Sequence, residues 1–82
     1  MKRSSLQSIL SFLSLSANHL QSDIADDKNY RDIIRDEAND VDDPVVAEKL
    51  RQLRNHITKL EQKLLKLNVL IKEVKDELES SQ

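Results

Sequence analysis

The chain has 82 residues and a net charge of −2, and charged side chains make up 34% of it. It contains no glycine, no cysteine, one proline, one tyrosine and one phenylalanine. This composition excludes a disulfide scaffold, a thiolate metal site and cysteine catalysis, and it lacks the turn residues that a hairpin-rich β fold requires. We therefore expect an all-α protein in which residues 1–82 form a single helical domain.

The N-terminal stretch has apolar residues at alternating steps of four and three, which is the spacing of one face of an α-helix. Seven serines between residues 1 and 22 lower its intrinsic helicity, so packing against another helix must hold it. This face is predicted to pack inside a hairpin or against a partner, through Leu6, Leu10, Leu13, Leu20, Ile24 and Ile34.

Residues 1–22 contain Lys2 and Arg3 and no acidic residue. Such a stretch is also typical of organelle targeting segments, and it could lie on a membrane surface, although two basic residues make that binding weak. No apolar run is long enough to span a membrane. We expect a cytoplasmic protein; the alternatives are a nuclear location, or an organellar one if this stretch acts as a targeting segment.

The polar segment 26–29 raises the question of whether the first helix ends there. Beyond Ile24 the same phase meets Asp27 and Arg31, and it becomes apolar again at Ile34. A loop would be expected to lose this phase, so the sequence favours one helix over about residues 5–38, with Asp27 and Arg31 paired across one turn. A break at 26–29, which would give three helices, is the alternative.

The strongest break lies before Pro44. Asp43 is a good N-cap, and proline is favoured at the first position of a helix. These residues predict a loop at 39–43 and a second helix over about 44–79. The acidic residues of the loop do not follow the order of a Ca²⁺ loop and no glycine is present for its turn, so no metal site is predicted.

The second helix has the most regular pattern of the chain, with ten aliphatic residues at alternating steps of four and three. We call this set the seam: Val46, Leu50, Leu53, Ile57, Leu60, Leu64, Leu67, Ile71, Val74 and Leu78. A seam of this kind is typical of a coiled coil and predicts association through it. Two matched helices and a short polar loop predict a long antiparallel helical hairpin that oligomerises into a bundle. A parallel coiled coil of the second helix alone is the alternative.

Four apolar residues lie off these faces: Phe12, Leu15, Leu65 and Val69. In a hairpin that turns near residues 41–42, residues at the same level have numbers that sum to about 83. Both pairs then fall at the end away from the loop. They are predicted to form either extra core of a thicker bundle or a docking patch for another protein.

The sequence predicts no enzyme, because it has no nucleophile beside a base and no glycine-rich phosphate loop. No catalytic residue, metal or cofactor is expected. A leucine-zipper DNA-binding protein needs a basic run before its seam, and here Asp40, Asp42 and Asp43 occupy that place, so no nucleic-acid partner is expected.

We predict a non-enzymatic protein–protein interaction module, a small coiled-coil subunit or adaptor that assembles through its leucine/isoleucine seam with itself or with another helical protein. The alternative is a small helical regulator, an inhibitor or chaperone-like partner, that binds an enzyme or another coiled coil.

Overall fold

The computed structural model describes residues 2–38 and 43–80, which form two long α-helices and no strand. Helix α1 spans Arg3–Glu37 and has 35 residues; helix α2 spans Pro44–Ser80 and has 37. The predicted all-α hairpin is confirmed, and the predicted helix bounds agree with the observed ones to within two residues. Residues 39–42 of the predicted loop lie outside the described residues.

Helix α1 continues without a break through residues 26–29, so the three-helix alternative is wrong. The phase of its apolar face is kept across this polar segment, which lets both ends of the helix pack on the same side of α2. The alternative in which α2 stands apart from the N-terminal half is wrong as well, because α1 packs along it.

The two helices run antiparallel. Near the start of α1, Nη1 of Arg3 donates a hydrogen bond of 3.1 Å to the carbonyl oxygen of Leu78, near the end of α2. Farther along, the carboxylate of Asp27 contacts the imidazole of His56, and the numbers of this pair sum to 83, the predicted level. The result is a rod with extents of 59 × 14 × 13 Å.

The seam explains which residues of α2 are covered. All ten seam residues are buried or half-buried, and every other residue of α2 is exposed. The centre of the core is Ile24, Ile57 and Leu60, with Leu20 and Leu64 packed against it. The residues predicted for the facing side of α1 are buried or half-buried too: Leu6, Leu10, Leu13, Leu20, Ile24 and Ile34. Within one chain, α1 therefore closes the seam.

The start of α2 has the predicted cap. Oδ1 of Asp43 accepts hydrogen bonds from the backbone N–H of Val45 at 2.9 Å and of Val46 at 3.4 Å. The carbonyl oxygen of Asp43 accepts from the N–H of Ala47 at 2.9 Å, and Pro44 is the first helical residue. The two side-chain bonds satisfy the backbone donors of Val45 and Val46, which have no partner inside the helix, and this stabilises the end.

Neither α1 nor α2 combines the length and the hydropathy that a membrane-spanning helix requires.

Replacing Leu60 by Asp tests whether the seam holds the hairpin. Leu60 is only 8% exposed, so the carboxylate would be buried without a partner, and we expect the free energy of unfolding to fall by at least about 3 kcal/mol. The measurement is denaturation followed by circular dichroism. Leu65→Asp is the matched control, because Leu65 lies on the same helix outside the seam and is 67% exposed. Equal losses in both variants would contradict the seam's role.

Replacing Asp43 by Ala tests the cap. Loss of the two side-chain hydrogen bonds should lower the free energy of unfolding by about 1 kcal/mol, whereas Asp43→Asn keeps an acceptor oxygen and should lower it much less. Urea denaturation of the two variants beside the parent protein provides the comparison. If Asp43→Ala and Asp43→Asn are equally destabilised, the hydrogen bonds are not what stabilises this end.

Candidate interaction surfaces

The helix interface becomes polar at Asp27 and Arg31, which are both half-buried. Asp27 contacts Nδ1 of His56 on α2, while Nε of Arg31 donates a hydrogen bond of 3.1 Å to Oδ1 of Asp32. The predicted pairing of Asp27 with Arg31 is wrong, because each has a different partner. The short side chain of Asp27 points towards α2, whereas Arg31 pairs with Asp32, its neighbour in the sequence. The apolar core is thus interrupted one turn beyond Ile24.

The interface has two open flanks. Whether a residue comes directly before or directly after an interface residue tells on which flank it lies. Lys28 and Glu61 each directly follow a residue of the interface, and their Nζ and Oε2 atoms lie 3.6 Å apart across one flank. Because a helix turns by about 100° per residue, residues that directly precede an interface position, such as Tyr30 and His56, lie along the opposite flank. Residues midway between interface positions point outward.

One flank carries most of the exposed apolar surface. Nine large apolar side chains are exposed in the described part of the chain, and six of them directly precede an interface position. We call these six the apolar flank: Ile9, Phe12, Tyr30, Ile33, Val45 and Leu70. At the loop end, Val45 and Lys49 line an open groove of about 580 Å³ together with Ile34, Val46 and neighbouring residues. A concentration of apolar side chains on one side of a small protein is typical of a protein-binding surface.

The four residues predicted as a docking patch are exposed but do not lie together. Phe12 belongs to the apolar flank, and Leu65 follows Leu64 and lines the opposite flank beside Lys28 and Glu61. Leu15 and Val69 are midway between interface positions on different helices and point outward. The hairpin therefore presents the two residues of α1 and the two residues of α2 in different directions.

The apolar flank is not among the surfaces predicted from the sequence. A signal was present, because Ile9 and Tyr30 are 21 residues apart, as are Phe12 and Ile33, so that each pair occupies the same position in a seven-residue repeat. The intervening members of these rows are polar, which hides the repeat in a search for continuous apolar stripes.

The opposite flank is basic near the loop. An open groove of about 400 Å³ is lined there by Arg31, Arg35, Ala47, Leu50, Arg51 and Arg54. Acids of the same helices balance part of this charge: Asp32 accepts from Arg31 and Arg35, and Glu48 accepts from Arg51. The hydrogen bond and the charge of Arg51 hold the pKa of the Glu48 carboxyl below its ordinary value.

The described ranges, 2–38 and 43–80, contain no group of three or more His, Cys, Asp or Glu side chains that could hold a metal ion. Asp40 and Asp42, which precede the seam in the sequence, lie outside these ranges.

Comparison of the chain with protein-family models, curated proteins and solved structures found no match.

Replacing Arg31 by Leu tests whether the polar interruption weakens the core. Leucine at this half-buried position would bury apolar surface against α2, so we expect the free energy of unfolding to rise by about 1 kcal/mol, offset in part by loss of the pair with Asp32. Arg35→Leu is the control, because Arg35 is exposed and also pairs with Asp32. Thermal melting that places Arg31→Leu at or below the parent would contradict the prediction.

Proposed function

We propose that the protein is a non-enzymatic interaction module, a small helical subunit or adaptor that binds helical proteins through the outer faces of its hairpin. The observation that supports this proposal is the division of its apolar side chains. The seam is closed by α1 within the chain, and nine large apolar side chains remain exposed among the residues described.

The size of the core supports the same proposal. Six described side chains are buried, and the accessible surface is 6221 Å². The scaling of surface with mass predicts roughly 5,000 Å² for a compact protein of 9.5 kDa. A rod of two helices thus exposes more surface than a globule of the same mass, and a partner that covers part of it would stabilise the folded state.

The geometry of the exposed rows favours a helical partner. Ile9 and Tyr30, and likewise Phe12 and Ile33, repeat at multiples of seven residues along a rod 59 Å long. A helix laid beside the rod presents side chains with the same repeat, so it can contact the apolar residues on both sides of the polar middle. In this proposal the seam keeps the hairpin closed, and the outer faces bind the partner.

One observation favours the regulator as a second candidate function. Asp27 and Arg31 replace apolar residues at the interface, so closure of the hairpin near the loop gains less hydrophobic stabilisation than closure elsewhere. A chain that opened there would offer the seam of α2 to another coiled coil. Amide hydrogen exchange separates the candidates: binding through outer faces should leave or increase the protection of α1, and binding through an opened seam should abolish it.

The double replacement Leu65→Gln with Val69→Ser tests the outer faces. Both residues are exposed, so melting should stay close to that of the parent protein. If they contact a heterologous helix or a further copy, burial of each contributes roughly 1.5–3 kcal/mol, and their loss should weaken that association by at least about a hundredfold. The measurements are thermal melting for the fold and light scattering or titration with the partner for association.

The matched control for this pair is Thr58→Gln with Gln62→Ser, which changes exposed residues in the same two helical positions seven residues earlier. This control should melt and associate like the parent. Unchanged association of the Leu65 and Val69 variant would remove these residues from the binding surface, and outright unfolding would place them in the protein's own core.

A further inference from the structure

We infer that the apolar flank binds a second copy of the same chain, with both loops at the same end, so that four helices form one bundle. The inference rests on the proposed function and names one partner and the face that it uses. The evidence for it is the placement of acids on α1 and lysines on α2 at the middle of this flank.

Four rows of side chains with a seven-residue repeat run along the flank. On α1 the rows are Ile9, Ser16, Asp23, Tyr30, Glu37 and Ser5, Phe12, His19, Asp26, Ile33. On α2 they are Lys49, His56, Lys63, Leu70, Glu77 and Val45, Gln52, Lys59, Lys66, Glu73. Each row of α1 has an apolar residue on either side of an acid near the middle of the helix, whereas the rows of α2 have lysines at the middle levels and end in glutamates. At its middle levels, this face of the rod therefore has an acidic half beside a basic half.

The charges at the middle of this face are available to a partner. Asp23, Asp26, Lys59, Lys63 and Lys66 are all exposed, and none of them forms an ion pair or a side-chain hydrogen bond with another described residue. They contrast with Lys28, which reaches Glu61 across the other flank. Two acids and three lysines on one face thus have no partner among the described residues of the chain.

Two arrangements with twofold symmetry place this face against itself. An axis along the rod lays α1 of one copy over α2 of the other, with the loops together, and brings Asp23 and Asp26 opposite Lys63 and Lys59. An axis across the rod lays α2 over α2 with the loops at opposite ends, so that the lysines face lysines. Opposite charges attract in the first arrangement and like charges repel in the second, so charge selects the bundle with both loops at one end.

The apolar ends fit the same arrangement. With the loops together, Ile9 and Phe12 of one copy lie at the level of Leu70 of the other. At the loop end, Tyr30 and Ile33 of one copy lie towards the groove beside Val45 of the other copy. One face of the rod, 59 Å by 14 Å, has a projected area of about 800 Å², which is of the same order as the accessible area that each partner buries in a standard protein–protein interface.

The experiment uses two charge variants of the full chain. One carries Lys59→Glu and Lys63→Glu, so that both helices of the flank are acidic; the other carries Asp23→Lys and Asp26→Lys, so that both are basic. Alone, each variant would place like charges opposite one another, and we expect its dimer dissociation constant to rise at least about tenfold. Mixed in equal amounts, they restore attraction at both contacts and should dimerise at least as tightly as the parent.

Sedimentation equilibrium measures the mass of each sample against the 9.5 kDa of one chain, and circular dichroism checks that each variant is helical. The matched control is Lys72→Glu with Lys75→Glu, which makes the same change of charge on the same helix but on the opposite flank. It should dimerise like the parent. A control that loses the dimer together with the first variant would show an effect of net charge and would overturn the inference.

The orientation of the copies has its own measurement. The chain has no cysteine, so Ser80→Cys accepts a single spin label at the end away from the loop. With the loops together, the two labels of a dimer should lie within roughly 30 Å, whereas the opposite arrangement separates them by nearly the length of the rod. The longer distance would overturn the proposed arrangement.

A parent protein that stays monomeric at high micromolar concentration, or charge variants that dimerise as well as the parent, would overturn the inference. These outcomes are distinct from failure of the proposed function, which is tested by the Leu65 and Val69 variant on the other surfaces. A monomer whose binding to a helical partner still depends on Leu65 and Val69 would remain an interaction module.

Discussion

Burial of the seam of α2 against α1 is the interaction on which the rest of the structure depends. Ten aliphatic residues at steps of four and three give one apolar stripe along the whole of α2, and each of them is buried or half-buried. Removal of this stripe from water holds the serine-rich α1 as a helix, aligns the two helices antiparallel and determines which residues form the two flanks. The cap at Asp43 and the contacts of Arg3 and Lys28 add to a geometry that the seam has already imposed.

A two-helix rod also explains why the outer surface matters. Two helices cover only one stripe of each other, so a side chain such as Phe12 stays exposed even though it is large and apolar. A third or fourth helix is the usual way to cover such residues in helical proteins. The apolar and charged rows of one flank have the repeat and the signs that a second copy would match.

Asp27 and Arg31, the polar residues within the interface, show what the helical repeat of the sequence can predict and what it cannot. The phase from Ile24 to Ile34 correctly predicted a continuous helix, because the direction of a side chain depends on helical rotation and not on polarity. The partner of Asp27 could not be read in the same way. Sequence spacing favoured Arg31, four residues away, but His56 lies 29 residues away and reaches Asp27 only through the antiparallel packing.

By itself, the sequence determined two helices, the start of the second at Pro44, the cap at Asp43 and the residues that face the interface. Each of these depends on interactions within a few residues or on a local repeat. The tertiary structure decided that α1 closes the seam of α2, that Asp27 pairs with His56 and that Phe12 and Leu65 lie on opposite flanks. These features depend on how two distant segments are placed in space, and an aliphatic seam is equally compatible with a helix of the same chain and with one from another molecule.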